Sequence, residues 1–182
     1  MDRIETSRLI LRRLREDDRS ILERIMGDEQ VRRFFATRAT AEDVDRFLQR
    51  VWSDTERDGF SFGAAELKST GETIGIIGLA RFDELLQATT GADTEIGWQF
   101  DPAYWGRGLA PEGATAWLDY AWHRLHLPEV VAITAVQNLP SQRVMEKIGM
   151  HRDLHGDFDH PRVPEGHPLR RHVLYRISSP SL

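Results

Sequence analysis

Cysteine is absent from this chain of 182 residues. Its absence excludes disulfides, thiolate metal ligands and any cysteine nucleophile or acyl-cysteine intermediate. Long hydrophobic runs are missing too. No segment approaches the roughly 18 consecutive apolar residues that a membrane span needs, and the basic start lacks the apolar stretch of a signal peptide. We therefore expect a soluble, cytoplasmic protein that does not act at a membrane.

An excess of positive charge is also lacking. The chain has 24 Lys and Arg against 29 Asp and Glu, a net charge of −5. Because nucleic-acid-binding proteins usually carry a basic face, we expect no nucleic-acid partner, although a local basic pocket for a phosphorylated ligand stays possible. The composition, 40% hydrophobic and 29% charged, is typical of a globular protein. No repeat or linker divides it, which predicts a single domain over residues 1–182.

Hydrophobic periodicity predicts a mixed α/β (α+β) fold. A first helix is expected to be capped by Asp17 and Asp18, and a second by Thr40 with Asp43 completing a capping box. A further helix should end before Gly149, which suits a left-handed cap. Strands are predicted at 7–14, 60–67, 73–82, 94–100, 130–136 and 172–178. The order favours a twisted central sheet of about seven strands with helices on both faces.

A glycine-containing loop joins the strand at 94–100 to the next helix. It reads WGRGLA (105–110) and is followed at once by Pro111 and Glu112. Free N–H groups at a helix N-terminus bind anions, glycine lets the backbone approach a phosphate, and Arg107 would add positive charge. A tight turn that needs glycine only for its conformation explains the same letters. The loop matches neither the Walker nor the Rossmann pattern.

A second polar pair lies after the strand at 130–136. Asn138 and Ser141 stand at the start of the following helix, where residues of these types usually cap free backbone donors. The two strands should be neighbours, however, so both loops would open on one edge of the sheet. Open α/β sheets bind their ligands at such an edge.

The pair WGRGLA (105–110) and NLPSQRVMEKIGM (138–150) resembles the GNAT acetyltransferase superfamily, and most of all the branch containing the ribosomal-protein N-terminal acetyltransferases. The opening ETSRLILRRLREDD (5–18) and the strand EIGWQF (95–100) are similar to that branch too. The likeness therefore spans nearly the whole chain. It implies a GNAT-like sheet, acetyl-CoA as co-substrate, no metal, and an amine as acceptor.

The resemblance also assigns binding residues. In that family a Q/R-x-x-G-x-G/A loop holds the pyrophosphate, and its positions fall here on Trp105, Gly108 and Ala110, with tryptophan replacing Gln or Arg. The family's Asn-x-x-Ser pattern maps onto Asn138 and Ser141, and pantetheine pairs with the strand before the loop. The implied acetyl-CoA set is Trp98, Gln99, Phe100, Trp105, Gly106, Arg107, Gly108, Leu109, Ala110, Asn138 and Ser141.

Direct transfer from a thioester to an amine needs a base, because an ammonium has a pKa of about 8 at an N-terminus and about 10.4 on lysine. Glu95 lies close to where the family's catalytic glutamate occurs, and we predict that it is this base. A surface or salt-bridged glutamate is the alternative. The leaving thiolate benefits from a proton. Ser141 is the candidate donor, since no tyrosine follows the second loop before Tyr175.

The segment 155–176 holds four histidines, but their spacing matches no zinc pattern. We predict a loop on the substrate side, in which His155, Asp157 or His160 is an alternative base. The resemblance implies that this loop and Phe34-Phe35 select the acceptor.

Several functions stay open at this point. The acceptor is either a protein N-terminus or a small-molecule amine, and the protein either a monomer or a homodimer. A non-catalytic acyl-CoA sensor would keep the same loop but would not turn over. An unrelated nucleotide-binding module would bind ATP or NAD in competition with CoA.

Overall fold

The computed structural model describes residues 3–37 and 39–180. The strands are β1 (Ile4–Glu5), β2 (Leu9–Arg12), β3 (Phe62–Leu67), β4 (Glu72–Arg81), β5 (Thr94–Phe100), β6 (Glu129–Ala135), β7 (His151–Arg152), β8 (Phe158–Asp159) and β9 (Arg171–Ser178). The helices are α1 (Arg19–Gly27), α2 (Glu29–Arg32), α3 (Ala41–Asp58), α4 (Glu84–Thr90), α5 (Leu109–His123) and α6 (Leu139–Lys147).

The strands form one sheet in the order β1-β2-β3-β4-β5-β6-β9-β7, and β8 also pairs with β9. Neighbouring strands are antiparallel except β5 and β6, which are parallel. The predicted mixed α/β class and the β3–β4 hairpin are thus confirmed. The sheet described has nine strands rather than about seven, because β1, β7 and β8 have two residues each and are too short to show alternation.

Helices cover both faces of the sheet, as predicted. On one face α5 and α6 pack a cluster around the fully buried Trp117 and Met145. On the other, α1 and α3 bury Leu22, Val44 and Leu48 against β3 and β4. The two layers enclose the sheet that carries the site. In the part of the chain that the structure describes, no helix is long and apolar enough to cross a membrane.

Two predicted helix boundaries are confirmed. The Thr40 side chain caps α3 in a capping box with Asp43, and Gly149 after α6 has a φ of +86°, in the left-handed region. Helices α2 and α4 were not predicted. They have four and seven residues, which is too short for a helical period to stand out from the sequence.

Asp18 stands at the N-cap position of α1, as predicted, but its side chain does not cap that helix. It ends a 3₁₀ turn at Glu16–Asp18, in which its carboxylate accepts the Arg15 N–H at 2.8 Å in a capping box. It accepts hydrogen bonds from the Arg12 guanidinium at 2.8 and 2.9 Å and from Thr73 at 2.9 Å. Burial alone would raise the pKa of Asp18, but the hydrogen bonds from Arg12, the Arg15 N–H and Thr73 hold it below its usual value. The carboxylate therefore ties β2 and β4 to the start of α1.

Asp18→Asn is expected to lower the free energy of unfolding by about 3 kcal/mol at pH 7, because it leaves the buried Arg12 charge partly uncompensated. Since the pKa of Asp18 is lower folded than unfolded, its contribution is present above about pH 4 and is lost as the pH falls through the folded pKa. Urea unfolding at pH 7 and at pH 3 measures both effects. Asp17→Asn, on the exposed neighbour, is the matched control. An equal loss in both variants would contradict the assignment.

Candidate active site

A cleft of about 660 Å³ opens where β5 and β6 diverge. Strands β5 (Thr94–Phe100) and β6 (Glu129–Ala135) are parallel and are paired at one position, where Glu95 lies beside Val131. Beyond it, the β6-facing edge of β5 is not paired with another strand. The glycine loop before α5 and the start of α6 border the cleft on one side, and α1 to α3 on the other. The predicted meeting of the two loops at one sheet edge is confirmed.

The glycine loop has the backbone geometry of an anion site. Gly106 and Gly108 both have a φ of +74°, and Arg107 between them does not have a positive φ. Such alternation turns successive N–H groups to one side in a concave nest. From 106 to 110, none of the five N–H groups donates to an acceptor within residues 3–37 and 39–180. Together with the N-terminus of α5, they can hold a pyrophosphate.

A clamp that sequence reasoning missed fixes this loop. Glu112, in the first turn of α5, accepts hydrogen bonds from the Thr6 hydroxyl at 2.6 Å and from the Arg8 side chain at 2.6 Å. Arg8 also donates to the Arg107 carbonyl at 2.8 Å. Burial pushes the pKa of Glu112 up, but the hydrogen bonds from Thr6 and Arg8 hold it below its usual value. Arg8 thus neutralises a carboxylate that would otherwise compete with a bound phosphate.

Asn138 and Ser141 are brought together at the start of α6. The Asn138 amide oxygen accepts from the Ser141 N–H at 3.3 Å, so the capping explanation holds for Asn138. Its amide nitrogen donates to the Thr134 hydroxyl at 2.9 Å and to the Ser141 hydroxyl oxygen at 3.1 Å. Both residues line the cleft. Because the Ser141 oxygen is already an acceptor, its own proton is left to donate into the cleft.

Glu95 lies on β5 and lines the cleft, half-buried. Burial raises the pKa of its carboxyl to about 7, against the opposing charge of Arg50. Arg50, on α3, was missed because an arginine on the polar face of a helix carries no sequence signal. A carboxyl with this pKa exchanges its proton near neutral pH, as a general base must.

The wall opposite the loops is aromatic. The rings of Phe47 and Phe62 lie 6.2 Å apart, and the Arg50 guanidinium lies 5.5 Å from the Phe47 ring. Phe62 covers Gly97, where an added Cβ would come within 3.0 Å of its ring. Phe34 and Phe35 also line the cleft.

The histidine-rich tail lies elsewhere. His155, Asp157 and His160 do not line the cleft, whose described lining ends at Lys147. Asp157 is paired with Arg152 at 2.5 Å, and the ring of His160 packs 4.7 Å from that of His172. Nowhere in the two described stretches do three His, Asp or Glu side chains converge as a metal site requires.

The predicted acetyl-CoA residues gather at the cleft with one exception. Arg107 does not line it, and its guanidinium lies 5.2 Å from the Tyr104 ring. Trp105 does, with its indole N–H donating to the Phe100 carbonyl at 2.7 Å. Gln99 lines the cleft, and its side-chain oxygen is buried without a partner among the described atoms. An open strand edge, a free amide oxygen and a nest of N–H groups fit a ligand with amides at one end and a pyrophosphate at the other.

Comparison with known proteins agrees with this fit. The family model described as "Acetyltransferase (GNAT) domain" matches residues 8–151. The Bacillus subtilis protein described as "Uncharacterized N-acetyltransferase YnaD" is 39% identical over 83 residues, which are 46% of this chain and about half (47%) of that relative.

Solved structures share the fold. A GNAT-family acetyltransferase from Bacillus anthracis superposes with a TM-score of 0.79 at 27% identity, covering 97% of this chain and 98% of the other. Mycobacterium smegmatis RimJ, solved with CoA-disulfide, gives a TM-score of 0.79 over 100% of this chain and 89% of its own, and at 18% identity shows the fold alone. The matched family model covers most of this chain, which therefore belongs to the GNAT acetyltransferase family.

Proposed function

We propose that this protein transfers the acetyl group of acetyl-CoA directly to an amine, with Glu95 as the base. The observation that carries the proposal is the position of Glu95 at the point where β5 and β6 part, with a pKa of about 7. An acceptor ammonium there can give its proton to a carboxylate that is substantially ionised at neutral pH. Membership of the GNAT acetyltransferase family supports acetyl-CoA as the acetyl donor.

The binding of acetyl-CoA divides among three parts of the cleft. The N–H groups at 106–110 hold the pyrophosphate, and the unpaired edge of β5 at Trp98–Phe100 pairs with the pantetheine amides. One N–H of that edge donates to the carbonyl oxygen as it becomes an oxyanion. Asn138 supports the pantetheine from the α6 side. The acetyl group then lies near Glu95, at the point where β5 and β6 begin to diverge.

The Ser141 hydroxyl supplies a proton to the leaving thiolate. Its oxygen accepts from Asn138, which leaves its hydrogen for the sulfur. Serine is a poor acid, so it relays a proton from water rather than giving up its own permanently.

Ser141→Ala is expected to lower kcat on the order of tenfold with little change in the KM for acetyl-CoA. The α6 cap is retained, because Asn138 accepts from the backbone N–H of residue 141 whatever its side chain. Steady-state kinetics measures both constants. Ser141→Thr, which keeps the hydroxyl, should retain more of the rate than Ser141→Ala. Equal losses of kcat in Ser141→Ala and Ser141→Thr would show that the hydroxyl does not relay a proton.

Thiol release from acetyl-CoA in the presence of peptides, polyamines and small amines tests the proposed reaction. Turnover with an amine, with the N-acetyl product seen by mass spectrometry, supports the proposal. Tight CoA binding without turnover on any amine would contradict it and favour an acyl-CoA sensor. Competition by ATP or NAD would favour a nucleotide-binding module. Solved structures of the ribosomal-protein branch share the fold of this chain. A peptide with a free N-terminus therefore belongs among the acceptors tested.

A further inference from the structure

A small acceptor pocket lies beside Glu95, on the side of the cleft away from the glycine loop. Its floor is Glu95 and Gly97 on β5, and its walls are the rings of Phe62 and Phe47 and the guanidinium of Arg50. The Phe62 ring rests on Gly97, two residues along β5 from Glu95 and on the same face of the strand. One carboxylate, one guanidinium and two aromatic rings thus surround the place where an amine would meet the base.

The charges of the cleft oppose a polycationic acceptor. Among the residues that the structure describes, Glu95 is the one acidic side chain lining the cleft. The same side of the cleft is lined by Arg32, Arg33 and Arg50. Three positive charges in the lining thus face one carboxylate. A polyamine or an aminoglycoside carries several positive charges, but Glu95 is the one carboxylate here that could pair with them, and it is needed as the base. The remaining charges of such an acceptor would be repelled by the arginines.

Arg50 is available to a ligand. Its guanidinium lies over the Phe47 ring at 5.5 Å, and the side chain is exposed to the cleft. Arg32, by contrast, donates to the Thr37 carbonyl at 2.7 Å, and the Arg33 guanidinium lies 4.7 Å from the Phe34 ring and 5.9 Å from the Trp105 ring. A planar guanidinium with free donors is the usual partner of a carboxylate, which it binds with two parallel hydrogen bonds.

We propose that the acceptor is a free α-amino acid with a large apolar side chain, bound with its amine at Glu95, its carboxylate at Arg50 and its side chain against Phe47 and Phe62. This rests on the proposed acetyl transfer to an amine. In an α-amino acid one carbon separates the amine from the carboxylate. Glu95 and Arg50, which are neighbours of opposite charge, can therefore bind the amine and the carboxylate at the same time. The pocket is complementary to that zwitterion.

The reaction then balances as follows. The amine nitrogen forms a bond to the acetyl carbonyl carbon, and the carbon–sulfur bond breaks. The bound ammonium first gives one proton to Glu95, which passes it to solvent before the next turnover. The second proton, which the nitrogen loses as the amide forms, passes through water and Ser141 to the CoA thiolate. The products are free CoA and an N-acetyl amino acid. The latter keeps its carboxylate on Arg50 but no longer has a cation to place near Glu95.

Kinetics with paired acceptors test the proposal in the full-length protein. The pair is L-phenylalanine and L-phenylalaninamide, which share amine and side chain but differ in the carboxylate. Each is measured with the unsubstituted protein, with Arg50→Gln and with Arg46→Gln. Arg46 lies one turn earlier on α3, is exposed and does not line the cleft. L-Phenylalanylglycine and spermidine complete the panel.

The informative quantity is the ratio of kcat/KM for the acid to that for the amide. The two amines differ in basicity, and Arg50→Gln also changes the pKa of Glu95, but both effects cancel in the change of this ratio between variants. We expect Arg50→Gln to lower the ratio ten- to a hundredfold, the loss typical of a charge-assisted hydrogen bond. Arg46→Gln should leave it within about twofold.

Each other outcome has a separate meaning. An unchanged ratio in Arg50→Gln, or faster turnover of spermidine than of phenylalanine, overturns the amino-acid assignment while acetyl transfer to amines stands. A preference for L-phenylalanylglycine overturns it in favour of a peptide amine. Failure of every amine in the panel while acetyl-CoA still binds contradicts the proposed function itself.

Discussion

Glu95→Gln is expected to lower kcat by about 10²- to 10⁴-fold while the affinity for acetyl-CoA stays the same. Glutamine keeps the size and the hydrogen-bonding shape of the side chain but cannot take a proton from the acceptor. Steady-state kinetics gives the loss in kcat, and calorimetry with acetyl-CoA gives the affinity. Glu84→Gln, the same change at an exposed position on α4, is the matched control.

The pH dependence gives this prediction a sharper form. Because the pKa of Glu95 is about 7, the base form grows as the pH rises through 7, and the rate should rise with it. In Glu95→Gln that limb of the profile should be missing. A normal rate across the pH range would show that another group is the base, and His155, Asp157 and His160 would then need the same test.

The same pKa has a consequence for stability. A carboxyl whose pKa is higher folded than unfolded stabilises the protein fully below its unfolded pKa, near 4.3, and loses that contribution as the pH rises through 7. Urea unfolding of the Glu95→Gln protein should therefore show a gain over the unsubstituted protein that appears between about pH 4 and 8 and reaches at most about 4 kcal/mol. A gain in stability together with a loss of rate is the signature of a site residue rather than of damage to the fold.

Gly106→Asp is expected to weaken acetyl-CoA binding by about ten- to a hundredfold, whereas Gly106→Asn weakens it far less. The two side chains have the same shape and both tolerate a positive φ, so they share any backbone strain. They differ by one negative charge, which repels a pyrophosphate on the neighbouring N–H groups. Calorimetric titration with CoA measures the two dissociation constants.

Gly106 is a better position than Gly108 for this comparison. An added Cβ at Gly106 meets nothing within 4 Å, whereas at Gly108 it lies 3.6 Å from the Arg8 guanidinium, with which an aspartate would pair. The defect of Gly106→Asp should shrink as salt is added, since screening weakens repulsion between exposed charges. Equal affinities in the Asp and Asn variants would place the pyrophosphate elsewhere.

Residues close together in the sequence were the predictable ones. The strand–loop–helix around Gly106 and Gly108, the Thr40 capping box and the β3–β4 hairpin depend on chemistry within a few residues, which the sequence states directly. Asp18 shows the limit of this reasoning. Its carboxylate accepts the local Arg15 N–H, as a cap would, but its other partners, Arg12 and Thr73, come from the strands β2 and β4.

The parts of the site that depend on distant residues were not predictable. Arg50, on α3, acts on Glu95 on β5, and the clamp on the glycine loop joins Arg8 to Glu112 across more than a hundred positions. The tail histidines were expected near the substrate, but the pairing of β8 with β9 keeps His155 and His160 out of the lining of the cleft. Their pairing depends on strand register, which short irregular segments do not encode visibly.

By itself, the sequence determined the order of the longer elements and the glycine-containing loop before α5, because these follow from local patterns of glycine, caps and apolar spacing. The family was indicated by the resemblance of its motifs to those of known acetyltransferases. The tertiary structure decided which charges meet in the cleft. It buries Glu95 enough to bring its pKa to about 7, and it sets Arg50 and two aromatic rings around it. Desolvation and the fields of neighbouring charges act through space, so they exist only once the chain has folded.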